Sequence, residues 1–208
     1  MRVSTFPLGP LETNAYLVDN AGRAVAIDPG GDPGEIVDFL TAEGLVLEVI
    51  LATHLHFDHI HGMAALSKAT GAPVMASPAD EFLLATPVGG GGFMGFPKVP
   101  PFELKALAEG PMELAGLICH VFATPGHTPG SLSFHFPQGR AVFVGDLLFH
   151  RSIGRTDFPG GSLAELKRSV REKIFSLPKE TLVYPGHGPE TSVGDEVLNN
   201  PFFSPFAG

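Results

Sequence analysis

Between Thr53 and His59 the chain reads Thr-His-Leu-His-Phe-Asp-His, so four metal-ligating side chains fall within six residues. Single apolar residues separate His54, His56 and Asp58. In extended backbone successive side chains point to opposite faces. These three then share one face, Leu55 and Phe57 pack inward, and His59 opens a helix and turns to the same centre. Buried without a partner, such groups would cost roughly 1–3 kcal/mol each, so the pattern calls for a ligand. Three later loops each add one group: His127 in Thr124-Pro125-Gly126-His127-Thr128-Pro129-Gly130, Asp146 after Gly145, and His187 in Pro185-Gly186-His187-Gly188. Each loop follows a strand-like run and carries small residues that allow close approach. The set is five His and two Asp, seven donors in all. That exceeds a tetrahedral zinc site and suits two metals with a carboxylate and a hydroxide between them. Nitrogen and oxygen donors fit Zn, Fe or Mn, while a lone Cys119 argues against a thiolate or iron–sulfur cluster.

This H-x-H-x-D-H pattern, followed by a His, an Asp and a His, resembles the signature of the metallo-β-lactamase superfamily, and the resemblance covers nearly the whole chain. It implies an α/β (α+β) fold, a four-layer αββα sandwich with the metals at one edge. It further implies that His54, His56 and His127 bind one divalent metal ion, that Asp58, His59 and His187 bind a second, and that Asp146 bridges. Zinc is the expected metal, with iron or manganese as alternatives. Asp58 is the expected catalytic residue, orienting the attacking water. The segment Ile153-Gly154-Arg155-Thr156-Asp157-Phe158-Pro159-Gly160-Gly161, with Pro185–Pro189 and Asn200-Pro201-Phe202, looks like the short glyoxalase II-like (hydroxyacylglutathione hydrolase-like) branch. Its members hydrolyse thioesters such as S-lactoylglutathione. The expectation is one domain over 1–208, without the C-terminal helical domain with which longer members hold glutathione. Two alternatives stand beside this reading. A mononuclear-iron persulfide dioxygenase shares the superfamily metal motifs and a similar Gly-Arg-Thr-Asp segment, but usually has Pro-Ala-His where this chain has Pro185-Gly186-His187. A non-hydrolytic metal-binding redox or sensor module is the other.

Short elements must position these groups. Asn14–Asp19 and Arg23–Ile27 flank Asn20-Ala21-Gly22, a hairpin turn signal. Pro33 opens a helix that Gly44 stops. Leu45–Ala52 is nearly all apolar, as befits a strand buried on both faces, and a helix is predicted over His59–Ala69. Leu117–Ala123, Ser131–Phe136, Ala141–Val144 and Thr181–Tyr184 read as strands. Leu163–Phe175 reads as an amphipathic helix, with Ser162 and Glu165 forming a capping box. Two similar halves packed sheet against sheet fit this order. Residues 86–101, with four consecutive glycines and Phe93, Met94 and Phe96, are predicted to be irregular and to act as a lid.

The remaining candidates have plainer readings. Cys119, His120 and His135 lie within strand patterns, and His61 should point away from the centre. His150 and Arg151 are either surface residues or lining of the site. Arg155 and Asp157 either orient ligands or form a structural salt bridge. A formal charge of −9 without basic runs speaks against nucleic acid as partner, and no apolar run is long enough to span a membrane. A small-molecule thioester, with a glutathione conjugate among the candidates, is the expected partner. A lone cysteine forms no internal disulfide, so a cytoplasmic location is expected.

Overall fold

The computed structural model describes residues 1–203, so positions 204–208 of the expected 1–208 domain lie outside the described residues. A hairpin forms where Asn20-Ala21-Gly22 places it. Strand β1 (Arg2–Leu8) pairs antiparallel with β2 (Thr13–Asn20), which pairs antiparallel with β3 (Arg23–Ile27). Helix α1 (Gly34–Ala42) then crosses back, and β4 (Val46–Leu51), β5 (Val74–Ala76) and β6 (Leu104–Ala106) continue the sheet in parallel. Between β4 and β5 lie α2 (Phe57–Ile60) and α3 (Met63–Thr70). A 3-10 segment, Pro78–Ala85, and one helical turn, α4 (Pro87–Gly90), precede β6.

The second sheet has the order β14-β13-β10-β9-β8-β7. Its strands are β7 (Gly110–Leu114), β8 (Leu117–Ala123), β9 (Leu132–Phe136), β10 (Ala141–Gly145), β13 (Leu182–Pro185) and β14 (Thr191–Ser192). Only β10 and β13 pair in parallel. A small ribbon, β11 (Leu148–Phe149) with β12 (Ser152–Ile153), follows β10, and α5 (Leu163–Ser169) and α6 (Val193–Asn199) complete the elements.

Strand alternation divides the core into three apolar layers. Leu17, Ala26 and Ile50 face outward and pack with Ile36 of α1 and Leu66 of α3. Their neighbours Val18, Val25 and Leu51 face the second sheet and meet Cys119, Val121, Phe134 and Phe143. On the far side, Val142, Val144 and Val183 pack under Leu166 of α5 and Val170. The order is therefore helix, sheet, sheet, helix, which is the expected αββα sandwich. Among the described residues no helix is long and apolar enough to cross a membrane.

Several local expectations need correction. The helix expected over His59–Ala69 is two pieces, broken at His61-Gly62, where the Gly62 amide donates to Pro29 O at 2.8 Å instead of to a carbonyl of its own helix. The helix expected to Phe175 ends at Ser169 and continues as a π-turn, Val170–Ile174. Only half of the capping box forms. Ser162 Oγ accepts from the Glu165 amide at 3.3 Å, but the Ser162 amide donates to Gly126 O instead. Residues 86–101 are not wholly irregular either, since they contain α4 and a bridge between Gly91 and Lys98.

Candidate metal centre

All seven expected ligand residues converge at one edge of the two sheets. The chain leaves β4 at Leu51, and His54 and His56 sit in the buried loop beyond it. Asp58 and His59 lie in the first turn of α2, so a helical turn, and not strand alternation, brings them to the centre. Leu55 and Phe57 pack inward as expected. His127 comes from the β8–β9 loop, and Asp146 and His187 follow the parallel neighbours β10 and β13. Their donor atoms form three groups, each within 4.8 Å: His54, His56 and His127; His54, His59 and Asp146; Asp58, His59 and His187.

The sequence reading assigned no role to the residue that orients two of these rings. Asp28, buried beyond the end of β3 in the left-handed region at φ 52°, accepts from the Thr53 amide at 2.7 Å and from Thr53 Oγ1 at 2.6 Å. His59 Nδ1 donates to the same carboxylate at 2.9 Å. Thr53 Oγ1, its own proton committed to Asp28, accepts from His54 Nδ1 at 3.0 Å. His127 Nδ1 donates to the Arg155 carbonyl at 2.7 Å. In all three rings the Nδ1 hydrogen bond fixes the ring orientation and directs Nε2 toward the centre. Asp80, also buried, cross-links the ligand loops by accepting from Thr128 Oγ1 at 2.7 Å, Gly130 N at 2.6 Å and Leu55 N at 3.3 Å. Asn14 and Tyr16 of β2 hold the His187 loop through the carbonyls of Pro185 and Gly188.

Among the described residues, nothing satisfies several polar atoms of this cluster. His54 Nε2, His56 Nε2, His59 Nε2 and Asp146 Oδ1 are buried without a hydrogen-bond partner. Leaving such groups unpaired costs about 1–3 kcal/mol each. His56 Nδ1 and His127 Nε2 face each other at 2.9 Å, which requires a proton or a cation between two lone pairs. The orphaned atoms and the imidazole–carboxylate chemistry fit divalent cations.

Electrostatics point the same way. Burial, reinforced by the neighbouring imidazoles, pushes His54 well below the usual histidine range, and burial lowers His56 to about 3. Burial opposes charge on His59 too, yet Asp146, Asp58 and Asp28 hold its pKa well above the usual value. Asp58 and Asp146 stay ionised despite burial because His59 and His187 lower their pKa values. The carboxylates draw positive charge into a buried pocket, which is what a cation site needs.

The other candidates sort cleanly. Arg155 does both things expected of it by different atoms: its carbonyl orients His127, while its guanidinium binds both oxygens of Asp157 at 2.7 Å. His150 is exposed, and Arg151 turns to Asp195 and Glu196, so neither lines the metal cavity. His61 joins none of the three donor groups at the centre but lines a small neighbouring pocket. His120 and His135 are cross-strand partners in β8 and β9. Cys119 is core, its thiol pushed up to about 12 by burial.

Over the cluster lies a cavity of about 340 Å³, floored by His56, Asp58, His127, Asp146 and His187. The model of the family described as the metallo-beta-lactamase superfamily matches residues 8–187. The chain is 37% identical over 210 residues to the "Probable metallo-hydrolase YqgX" of Bacillus subtilis (strain 168), covering 100% of both chains. It is 32% identical to the "Hydroxyacylglutathione hydrolase GloC" of Haemophilus influenzae (strain ATCC 51907 / DSM 11121 / KW20 / Rd), over 98% of this chain and 99% of that one. Among solved structures it is similar to BLEG-1 B3 metallo-beta-lactamase, at 38% identity and a TM-score of 0.90 over 98% of this chain and 100% of that one. TTHA1623 in a di-iron-bound form is similar at 41% identity and a TM-score of 0.86, over 96% and 99%.

Proposed function

The chain belongs to the metallo-beta-lactamase superfamily, and on that premise we propose that it is a two-metal thioester hydrolase of the glyoxalase II type. The observation that carries this reading is the convergence of seven buried or half-buried donors, four of whose atoms find no hydrogen-bond partner among the described residues. In this reading His54, His56 and His127 hold one cation, Asp58, His59 and His187 hold the other, and Asp146 serves both. Zinc is our assignment, and the similarity to a di-iron-bound protein makes iron the alternative. When bound, such cations lower the pKa of a coordinated water to about 7 and polarise an acyl carbonyl.

The protein's own groups supply orientation and charge. Asp58 Oδ2 lies 3.1 Å from His187 Nε2 and accepts from Thr13 Oγ1 at 3.2 Å, which fixes the carboxylate. Its lowered pKa keeps it an acceptor, so it orients the attacking water by taking a hydrogen bond from it. The departing thiolate is a good leaving group and needs no strong acid. The Pro185-Gly186-His187 loop, where a mononuclear persulfide dioxygenase usually carries Pro-Ala-His, favours this reading, since a Cβ on Gly186 would collide with the Asp146 carboxylate and the His59 ring. The test is a panel of thioesters run beside oxygen consumption with glutathione persulfide, on protein of measured metal content. Thioester turnover without oxygen uptake supports the proposal, and persulfide-dependent oxygen uptake with one iron per chain overturns it.

A further inference from the structure

The walls of the metal cavity carry almost no charge-binding capacity. Phe57, Phe93 and Phe96 form a three-ring cluster, with centroids 5.5, 4.9 and 5.9 Å apart. Phe158 stands against His56 at 5.6 Å. Beyond Phe57 and Phe96 lies a second, apolar pocket of about 150 Å³, which shares Leu11, Phe57, Asp58 and Phe96 with the first. Among the described residues lining the two pockets, Arg155 is the sole lysine or arginine. Its guanidinium is paired with both Asp157 oxygens and lies 3.7 Å over the Phe158 ring, so its charge is partly met by a carboxylate. Lys98 lines a separate cleft on the other side of the loop, with its alkyl chain beside Gly92. Asp32 adds negative charge to the second pocket.

Glutathione conjugates bring two carboxylates and one ammonium. Moving a carboxylate from water into a site without a free cation is costly, and Asp28, Asp58 and Asp146 meet much of the charge that two metal cations would bring. An apolar or aromatic group loses nothing polar there and gains ring contacts. We propose that this site is specific for thioesters whose non-reacting part is uncharged and apolar, with an aromatic acyl group seated on Phe57, Phe93 and Phe96, and that Phe96 determines this specificity. The inference rests on the thioester-hydrolase reading and adds the substrate class to it.

The metal-loaded chain should be assayed with lactoyl and phenylacetyl thioesters, each of glutathione and of N-acetylcysteamine. Phenylacetyl-N-acetylcysteamine is expected to exceed S-lactoylglutathione at least tenfold in kcat/KM, with most of the difference in KM. Phe96→Ala, on a half-buried loop position, should erase most of that preference. A readout without turnover is calorimetric binding of the 2-phenylethyl thioether of N-acetylcysteamine, which Phe96→Ala should weaken about tenfold at unchanged metal content and circular dichroism. S-lactoylglutathione as the best substrate, or thioether binding indifferent to Phe96→Ala, would overturn the inference and leave the hydrolase reading intact. Tight, Phe96-dependent thioether binding with no thioester turned over would overturn the hydrolase reading and support the apolar site.

Discussion

Asp28 stands outside the seven donors, yet its carboxylate sets the direction of two imidazoles through His59 Nδ1 and Thr53 Oγ1. Asp28→Asn keeps the size but gives up one acceptor oxygen and the negative charge. The expected result is a 10–100-fold weaker metal affinity, typical of such outer hydrogen-bond partners, read by competition with a chromophoric chelator. Unchanged affinity would mean that packing alone orients the rings. Asp58→Ala tests a different role. It should leave the His54, His56 and His127 group able to hold one ion while thioester turnover falls by roughly 100-fold or more. Wild-type kcat with this variant would remove Asp58 from the mechanism. The convergence of the seven candidate ligands was legible because the spacing of the first four is unusual. Asp28 was not, since Asp28-Pro29-Gly30-Gly31 reads as an ordinary strand-ending turn until Thr53 and His59 are brought beside it. Asp80 was hidden for the same reason: its partners, Leu55, Thr128 and Gly130, are remote in sequence.

Close packing between elements carries the ligand loops. Gly126, at φ 141°, precedes His127, and a Cβ there would fall within the backbone of Leu166 in α5. Gly126→Ala should push α5 and the His127 loop apart, destabilising the fold by about 1–3 kcal/mol and weakening metal binding. Urea denaturation and metal titration check the two effects. The pairing of β8 with β9 gives a pH prediction. Burial, with a smaller contribution from His120, lowers His135 from 6.5 to about 4. Between those values the unfolded chain binds more protons than the folded one, so the contribution of His135 to stability is present above pH 6.5 and is lost as pH falls toward about 4. His135→Gln should therefore flatten the fall in stability across that window in urea denaturation followed by circular dichroism, and an unchanged pH slope would contradict it. Element existence was readable where runs were long and apolar, as at β4 and β8. It failed for β5 and β6, three residues each, and for β1, whose largely exposed edge carries Pro7. The break at Gly62 also escaped, because it comes from a hydrogen bond to the distant Pro29 carbonyl.

At the scale of the whole molecule, two six-stranded sheets share an inner apolar layer, and the chain returns to one edge four times to deliver the candidate ligands. Parallel pairing of β10 with β13 brings the Asp146 and His187 loops out side by side. The Asn14 and Tyr16 contacts to Pro185 tie that edge of the second sheet to the first. The sandwich was expected from the resemblance and from the order of strands and helices, whereas these contacts between the sheets depend on three-dimensional register. The central claim is that this edge holds two cations that act together. Its most direct test is metal titration of the demetallated chain, with bound ions per chain and thioester turnover measured on the same samples, and with Asp146→Ala in parallel. The account predicts saturation at two ions with turnover rising to its maximum only as the second site fills, and loss of that second equivalent and most turnover in Asp146→Ala. Saturation at one ion with full activity, unaffected by Asp146→Ala, would contradict it.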